Sequence, residues 1–371
     1  MKVVGVCSHS IGTALPAEIT TSSIGDVNVP LAVIEVDQPD LKRASLGHRK
    51  VLVRVNAFSC NYRDKGIIVK HALKRSTGLR SGVTPFGFFG SDFVGTVVAK
   101  GPGVTAFEVG ARVIPDCSFP VSRDGSAAPG VVTNEASKGW LVLDEAKLME
   151  IPDVMTDEVA AGFSIGGQTA HSMVRRTVES SDERVLVTSG RSNTSQFVSW
   201  IMRHRANPCD LISTSPWSQD ELEFVAPCSV KAAPLGASWA TNLTPGSYDV
   251  IIDPFFDLHI DASVDLLKDG GRYITCGFKN QHPTFSEPTD AALHHDLHAV
   301  MVKAMIKNAR LMGNCIGYSE DLAAALELYS NTRDMPMPID STYRSEDGAR
   351  FLERTYNDRG RLGKALMIYD H

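Results

Sequence analysis

Between the apolar run Arg184-Val185-Leu186-Val187-Thr188 and the helical spacing of Phe197, Trp200 and Ile201 lies a turn of small polar residues, Ser189-Gly190-Arg191-Ser192-Asn193-Thr194-Ser195. A strand that runs into such a turn and then into a helix can hold a pyrophosphate, because the first N–H groups of a helix lack intrahelical partners and carry its positive end. Glycines usually let the backbone approach the phosphates. Here only Gly190 is available, and Ser192, Asn193, Thr194 and Ser195 supply small side chains that cap helices, Asn also tolerating positive φ. A Ser-rich cap before any helix has the same appearance, so the turn alone leaves both readings open. The next strand, Leu211-Ile212, runs into Ser213-Thr214-Ser215. NAD enzymes keep a carboxylate there for the ribose hydroxyls. Three hydroxyls and no carboxylate favour the 2′-phosphate of NADP, with Arg205 or Lys231 as basic residues of unassigned position.

Other clusters point less far. In His294-His295-Asp296-x-His298, His294 and His298 share a helix face and could pair on a metal. No third ligand stands at matching spacing, and a solvated helix start or an active-site rim is the simpler reading. The seven cysteines include no C-x-x-C pair, which fits reduced thiols rather than a zinc ribbon or a disulfide framework. Lys and Arg total 37 against 43 Asp and Glu, a net charge of -6, so the basic face that nucleic acid or an anionic membrane requires is not expected. No apolar run is long enough to span a bilayer, and the N-terminal residues lack a signal-peptide pattern, so a cytoplasmic location is expected.

At 371 residues the chain has room for two or three domains. Up to about residue 155, short β segments alternate with Gly and Pro turns: Lys50–Asn56, Gly95–Lys100 and Arg112–Ile114. This rhythm suits a barrel-like β domain. Beyond it, a helix over Glu158–Met173 precedes strands at Arg184–Thr188, Leu211–Ser213, Asp249–Asp253 and Arg272–Gly277, with helices between them. That alternation predicts a doubly wound α/β domain. A helix at Glu320–Tyr329 and a strand at Lys364–Tyr369 close the sequence, a tail too short for a domain and expected to rejoin the first.

An ordered set of segments resembles the medium-chain dehydrogenase/reductase superfamily over nearly the whole chain, in particular its zinc-free quinone oxidoreductases and enoyl reductases. The segments are Asn61-Tyr62-Arg63-Asp64, Gly90-Ser91-Asp92-Phe93-Val94-Gly95 before the Gly101–Gly103 turn, Phe163 to Ala170, Asp253-Pro254, Gly270-Gly271-Arg272 and Gly363-Lys364. The resemblance implies an α/β chain in which a GroES-like β-barrel catalytic domain (1–157, resumed at 316–371) is interrupted by a Rossmann NADP-binding domain with a doubly wound parallel sheet (158–315). It also implies a small-molecule, carrier-bound or peptide-bound substrate and a homodimer.

The same resemblance sets the zinc question. Zinc-dependent relatives place a Cys where this chain has Asn61, a His at Ser91 and a second Cys near Ile165; an amide, a hydroxyl and an alkyl group cannot form that site. Without zinc, the chemistry implied is NADPH-dependent hydride transfer to a C=C conjugated to a carbonyl: an enone, quinone, enoyl thioester or dehydroamino acid. A non-catalytic homologue acting as a scaffold is the alternative. Asn61, Tyr62, Arg63 and Asp64 are the catalytic candidates. Tyr62 and Arg63 are possible donors to an enolate oxygen, and Arg63 with Asp64 is equally readable as a loop-bracing ion pair. The cofactor candidates are Thr169, Gly190, Ser192 to Ser195, Ser213 to Ser215, Asp253 and Gly277. Cys60 and Cys276 read as packing residues.

Overall fold

The structure is a computed structural model that describes residues 1–8, 18–40, 46–76, 84–119, 129–234, 239–279 and 296–370. It divides into two compact units, Met1–Ile165 with Leu326–His371, and Gly166–Ala325. These boundaries fall later in the chain than the 157/158 and 315/316 expected from the sequence.

The first unit holds β1 (Lys2–Val6), β2 (Ile19–Ile24), β3 (Val27–Glu35), β4 (Lys50–Ser59), α1 (Asp64–Ser76), β5 (Asp92–Lys100), β6 (Arg112–Pro115), β7 (Trp140–Asp144), β8 (Leu148–Glu150) and α2 (Asp157–Ala160). α3 (Ser164–Thr177) starts at its edge. β1, β3 and β2 form an antiparallel sheet, and a larger sheet is centred on β4, which pairs with both β5 and β7. β4 is rich in Val, Leu and Phe and is buried along most of its length, as a central strand must be. Its Phe58 meets Phe89, Phe351 and Tyr369 at centroid separations of 5.9, 5.7 and 5.7 Å.

The helix expected over Glu158–Met173 is two helices. The chain turns at 161–163, where Met337 and Lys364 lie so close over Gly162 that a Cβ there would come within 2.3 and 2.9 Å of them. Thr156 caps α2 through the Val159 N–H.

A clamp on α1 fixes the segment before β5. Arg75 is buried and donates to the carbonyls of Thr84 (3.2 Å) and Phe86 (2.6 Å), with His71 Nδ1 3.1 Å from its guanidinium. Burial, and then the Arg75 charge, push the His71 pKa down to about 4. The unfolded chain therefore takes up more protons than the folded one between pH 6.5 and 4, and stability falls as pH drops through that window. The expected result is a melting temperature that declines from pH 6.5 to 4, with a smaller decline in His71→Gln. An equal decline in both proteins would show that His71 is not the cause.

The second unit continues with β9 (Val185–Val187), α4 (Asn193–Arg205), β10 (Cys209–Ser213), α5 (Gln219–Val225), β11 (Ser229–Ala232), β12 (Tyr248–Asp253), α6 (Phe256–Leu266), β13 (Leu267–Thr275), α7 (Leu297–Ile306), β14 (Arg310–Gly313) and the start of α8 (Ser319–Thr332). Among the described residues its six strands are all parallel, in the order β11-β10-β9-β12-β13-β14. The doubly wound sheet expected from the strand–helix rhythm is thus observed, and its direction of winding switches between β9 and β12. Open sheets of this kind take ligands outside the strand C-termini at that switch. Val185, Leu186 and Val187 are fully buried, as befits a strand covered on both faces. Gly270-Gly271 does not open a strand as expected. β13 begins at Leu267 and runs through Gly270, whose φ of 73° needs no Cβ.

The chain then returns to the first unit with β15 (Ile339–Tyr343), α9 (Gly348–Tyr356) and β16 (Lys364–Ile368). β16 pairs with β15 in parallel and with the Ala57–Phe58 end of β4 antiparallel.

Candidate functional site

In the second unit, the turn after β9 is built by hydroxyls. Ser192 caps α4 by accepting the Ser195 N–H (3.2 Å), and its own hydroxyl donates to Ser195 Oγ (2.8 Å). Ser195 Oγ in turn donates to Thr188 O (2.8 Å), tying the first turn of α4 back to the end of β9. Ser189 takes the left-handed conformation, φ 50°, that a glycine would adopt more cheaply. Gly190 serves a different purpose. Its N–H donates to Ile212 O (2.7 Å), and an added Cβ would lie 3.0 Å from that same oxygen, so a glycine allows the turn to press against β10.

Asn193 is buried and lies over Gly166 of α3, where a Cβ would sit 2.4 Å from its Nδ2. Thr169, one turn along α3, is buried, and Thr194 is half-buried in the first turn of α4. The positive end of this 13-residue helix and its ring of small side chains fit a diphosphate.

Two cofactor candidates are occupied within the protein. Asp253 is wholly buried, and its carboxylate accepts from Thr188 Oγ1 (2.5 Å), the Phe255 N–H (2.9 Å), His259 Nδ1 (2.8 Å) and Tyr273 OH (2.6 Å). Four donors exhaust a carboxylate's usual capacity, so Asp253 joins the ends of β9, β12 and β13 to α6 instead of presenting an acceptor. A carboxylate can only accept here, so His259 Nδ1 carries the proton, and the ring stands edge-on to Trp239 at 5.2 Å. Burial pushes the Asp253 pKa up, but His259 and the hydroxyl donors outweigh it and hold the group below the usual carboxylate value. Ser213 is the second. Its hydroxyl donates to Ser215 O (2.8 Å) and accepts the Ser215 N–H (3.3 Å), shaping the turn. Thr214 is exposed, Ser215 half-buried, and the Gly277 carbonyl accepts the Phe256 N–H (3.1 Å). Of the basic residues considered for this region, Arg205 bonds Val178 O and Asn207, and Lys231 lies 3.6 Å from Asp210.

The first unit carries a buried polar cluster between β4 and α1. Asn61 Nδ2 donates to Ser91 Oγ (3.0 Å) and to Asp92 Oδ2 (3.0 Å), and Ser91 donates to Asp64 Oδ2 (2.6 Å). Asp92 Oδ1 accepts the Ile165 N–H (3.0 Å). Lys364 Nζ donates to Asn61 Oδ1 (2.8 Å) and Cys60 O (2.9 Å), and stands 3.5 Å from Asp92. Tyr356 OH donates to Asn61 O (3.1 Å). Positions 61, 91 and 165 are therefore brought together around Asp92. The Asn61 amide has both of its hydrogens and its oxygen engaged within this cluster.

This donor set does not suit zinc. The amide offers hydrogens, the backbone of Ile165 offers another, and an ammonium stands where a dication would be repelled. Among the described residues no three His, Cys, Asp or Glu side chains converge. His298 is exposed in the first turn of α7, while His294 and His295 lie outside the described residues.

Burial raises the Asp64 pKa against the pull of Arg63, and burial lowers that of Lys364 against the pull of Asp92. Arg63 Nη1 donates to Asp64 (3.0 Å) and to Asn134 (2.7 Å), so the Arg63–Asp64 ion pair is formed. Tyr62 is half-buried, with Lys65 Nζ 5.8 Å from its ring centroid. Burial pushes the thiols of Cys60 and Cys276 up, the latter to about 12, so neither is a ready nucleophile. Sequence reasoning missed Asp92, Lys364, Tyr356 and His259. The one available signal was a lysine opening the otherwise apolar strand Lys364-Ala365-Leu366-Met367-Ile368.

Comparison with known proteins agrees with this architecture. The alcohol dehydrogenase GroES-like domain matches residues 47–153. A quinone oxidoreductase of Pseudomonas aeruginosa is 33% identical over 140 residues, 38% of this chain and 36% of that protein. The polyketide synthase GfsB of Streptomyces halstedii is 30% identical over 191 residues, 51% of this chain but 3% of that much longer protein. The chain thus spans well under two thirds of these relatives. The crystal structure of a putative alcohol dehydrogenase from Sinorhizobium meliloti superposes with a TM-score of 0.68 at 21% identity, covering 95% of this chain and 98% of that one. Residues 47–153 thus form an alcohol dehydrogenase GroES-like domain, and the fold, with its interrupting parallel-sheet unit, is the one that solved alcohol dehydrogenase structures share.

Proposed function

We propose that the chain is an NADPH-dependent, zinc-independent oxidoreductase that reduces a C=C conjugated to a carbonyl. The observation that carries this reading is the Asn61–Ser91–Asp92–Lys364 cluster, in which hydrogen-bonding groups fill the positions that zinc-dependent relatives give to ligands. Without a Lewis acid, polarising an alcohol for oxidation is difficult. Reduction of an activated alkene needs only donors for the carbonyl oxygen as charge develops there. The nicotinamide supplies the hydride.

The residues of the second unit hold the dinucleotide. The α4 N-terminus receives its diphosphate, Asn193 and Thr194 line it, and Ser213 to Ser215 at the end of β10 bring hydroxyls and no carboxylate of their own to its 2′-phosphate. In the first unit Tyr62 donates to the enolate oxygen, while Asn61 and Arg63 hold the loop that carries it. Similarity to a quinone oxidoreductase and to part of a polyketide synthase supports a quinone or an enoyl thioester as substrate.

The test is a fluorescence titration with NADPH and NADH, followed by an enone, quinone and enoyl-thioester screen before and after dialysis against a chelator. The expected result is binding, NADPH-dependent turnover of at least one acceptor and no loss on chelation. Tyr62→Phe is expected to lower turnover by about 10²-fold, the usual cost of one oxyanion donor, with NADPH affinity unchanged. Absence of binding to either nucleotide would sink the reading.

A further inference from the structure

Arg191 sits between Gly190 and Ser192 in the phosphate turn, yet its guanidinium lies elsewhere. It crosses to the loop that follows β10. Nη1 donates to Pro216 O (3.1 Å) and to Glu221 Oε2 (3.1 Å), and Nη2 pairs with the other carboxylate oxygen of Glu221. The guanidinium carbon lies 5.2 Å from the Trp217 ring centroid, which restrains its plane. Trp217 and Pro216 directly follow Ser213-Thr214-Ser215. In a doubly wound sheet this is where the adenosine ribose is recognised, by a carboxylate on its 2′-hydroxyl or by an arginine on its 2′-phosphate.

We propose that Arg191 is the 2′-phosphate receptor of this chain and that Glu221 is its built-in competitor. The inference rests on the dinucleotide reading given above. Glu221 holds the guanidinium fork until a 2′-phosphate displaces it; NADH, with only a hydroxyl there, has no anion to displace it with. Arginine suits the exchange because its planar fork binds carboxylate and phosphate in the same bidentate way, and the phosphate brings the greater charge.

Glu221 can let go without being stranded. Its Oε2 also accepts the Ser218 N–H (2.8 Å) in the capping box of α5, and its side chain keeps 24% of its exposure. Arg191, at 13%, is the more sheltered partner and remains seated against Trp217. The arrangement explains how a turn with one glycine and a β10 end whose Ser213 is spent locally would still discriminate between the two nucleotides. The discriminating cation comes from the phosphate turn itself.

The test measures dissociation constants of NADPH and NADH by nucleotide fluorescence for the wild type, Arg191→Ala, Arg191→Lys and Glu221→Gln. Competition by 2′,5′-ADP and by 5′-AMP repeats the comparison without the nicotinamide. Arg191→Ala should weaken NADPH and 2′,5′-ADP about 10- to 100-fold, as expected for lost charge-assisted hydrogen bonds, and leave NADH and 5′-AMP nearly unchanged. Arg191→Lys should keep part of the preference. Glu221→Gln, a conservative change at a half-exposed site, should tighten NADPH about 2- to 5-fold by removing the competitor. Equal weakening of NADPH and NADH in Arg191→Ala would make Arg191 a brace for the turn and overturn the proposal, as would weaker NADPH binding in Glu221→Gln. If the wild type binds neither nucleotide, the dinucleotide reading itself fails. If it binds both and the ratio is indifferent to Arg191, only the present inference fails.

Discussion

Lys364→Met is expected to destabilise the first unit by about 3–5 kcal/mol, the usual cost of removing one partner from a buried charge set. Methionine keeps nearly the same length and can still lie over Gly162, so little packing is lost. What disappears is the ammonium beside Asp92, a carboxylate with no solvent exposure, together with the donors to Asn61 Oδ1 and Cys60 O. Each orphaned acceptor adds about 1–3 kcal/mol of unrecovered desolvation. The measurement is urea denaturation of wild type, Lys364→Met, Asp92→Asn and the double variant. Removing the carboxylate's charge as well should restore part of the loss, so the double variant should be more stable than the two single costs predict. A Lys364→Met cost below about 1 kcal/mol would mean that Asp92 is compensated by other groups.

Asp253→Asn is expected to have the next largest effect, about 2–4 kcal/mol in the second unit, with weaker dinucleotide binding alongside it. An amide presents one acceptor oxygen, and its nitrogen must then face a donor that the carboxylate formerly satisfied. Thr188 directly follows β9 and Tyr273 lies on β13, so the mismatch falls across the strand ends beneath the phosphate turn. Asp253 is also ionised more readily than usual in the fold. Its stabilising contribution is therefore present above the ordinary carboxylate pKa and is lost as pH falls through its depressed value, and Asp253→Asn should lack that acid-side loss. Thermal melts across pH and an NADPH titration check both parts. A variant as stable as the wild type, with unchanged affinity, would show that the four donors find other partners.

What could be read in the sequence follows from how local each feature is. β9, β10 and β12 are legible because Val185-Leu186-Val187, Leu211-Ile212 and Val250-Ile251-Ile252 are buried apolar runs. The Ser192 cap is legible because its partner is three residues away. Asn61 and Ser91 could be singled out as non-ligands by their positions in the ordered motifs. The full engagement of the Asn61 amide could not, because it depends on Lys364, which arrives only when β16 pairs with β4. Asp253 stood out as a strand-terminal acid. Its saturation depends on donors from β9, α6 and β13 that no spacing relates. Arg191 was hidden for the same reason: it lies within the phosphate turn in sequence but finds its partners in the segment that follows β10. The break at Gly162 and the continuation of β13 through Gly270 reflect tertiary neighbours and a bulge that override the local pattern.

The pairing of β16 with the Ala57–Phe58 end of β4 also sets the order in which the molecule can be completed during synthesis. Gly166–Ala325 is one uninterrupted stretch, so the parallel-sheet unit can close as soon as that stretch has cleared the ribosome. The first unit must wait for a strand made roughly 300 residues after β4, an interval of roughly 15–60 s at ordinary elongation rates. Throughout that time Asp92 has been synthesised but the buried lysine beside it has not. The nascent first unit is therefore held open at the β4 edge, a natural target for holding chaperones and proteases. A chain released after residue 325 but before residue 364 has the whole parallel-sheet unit and a first unit that lacks the cation beside Asp92.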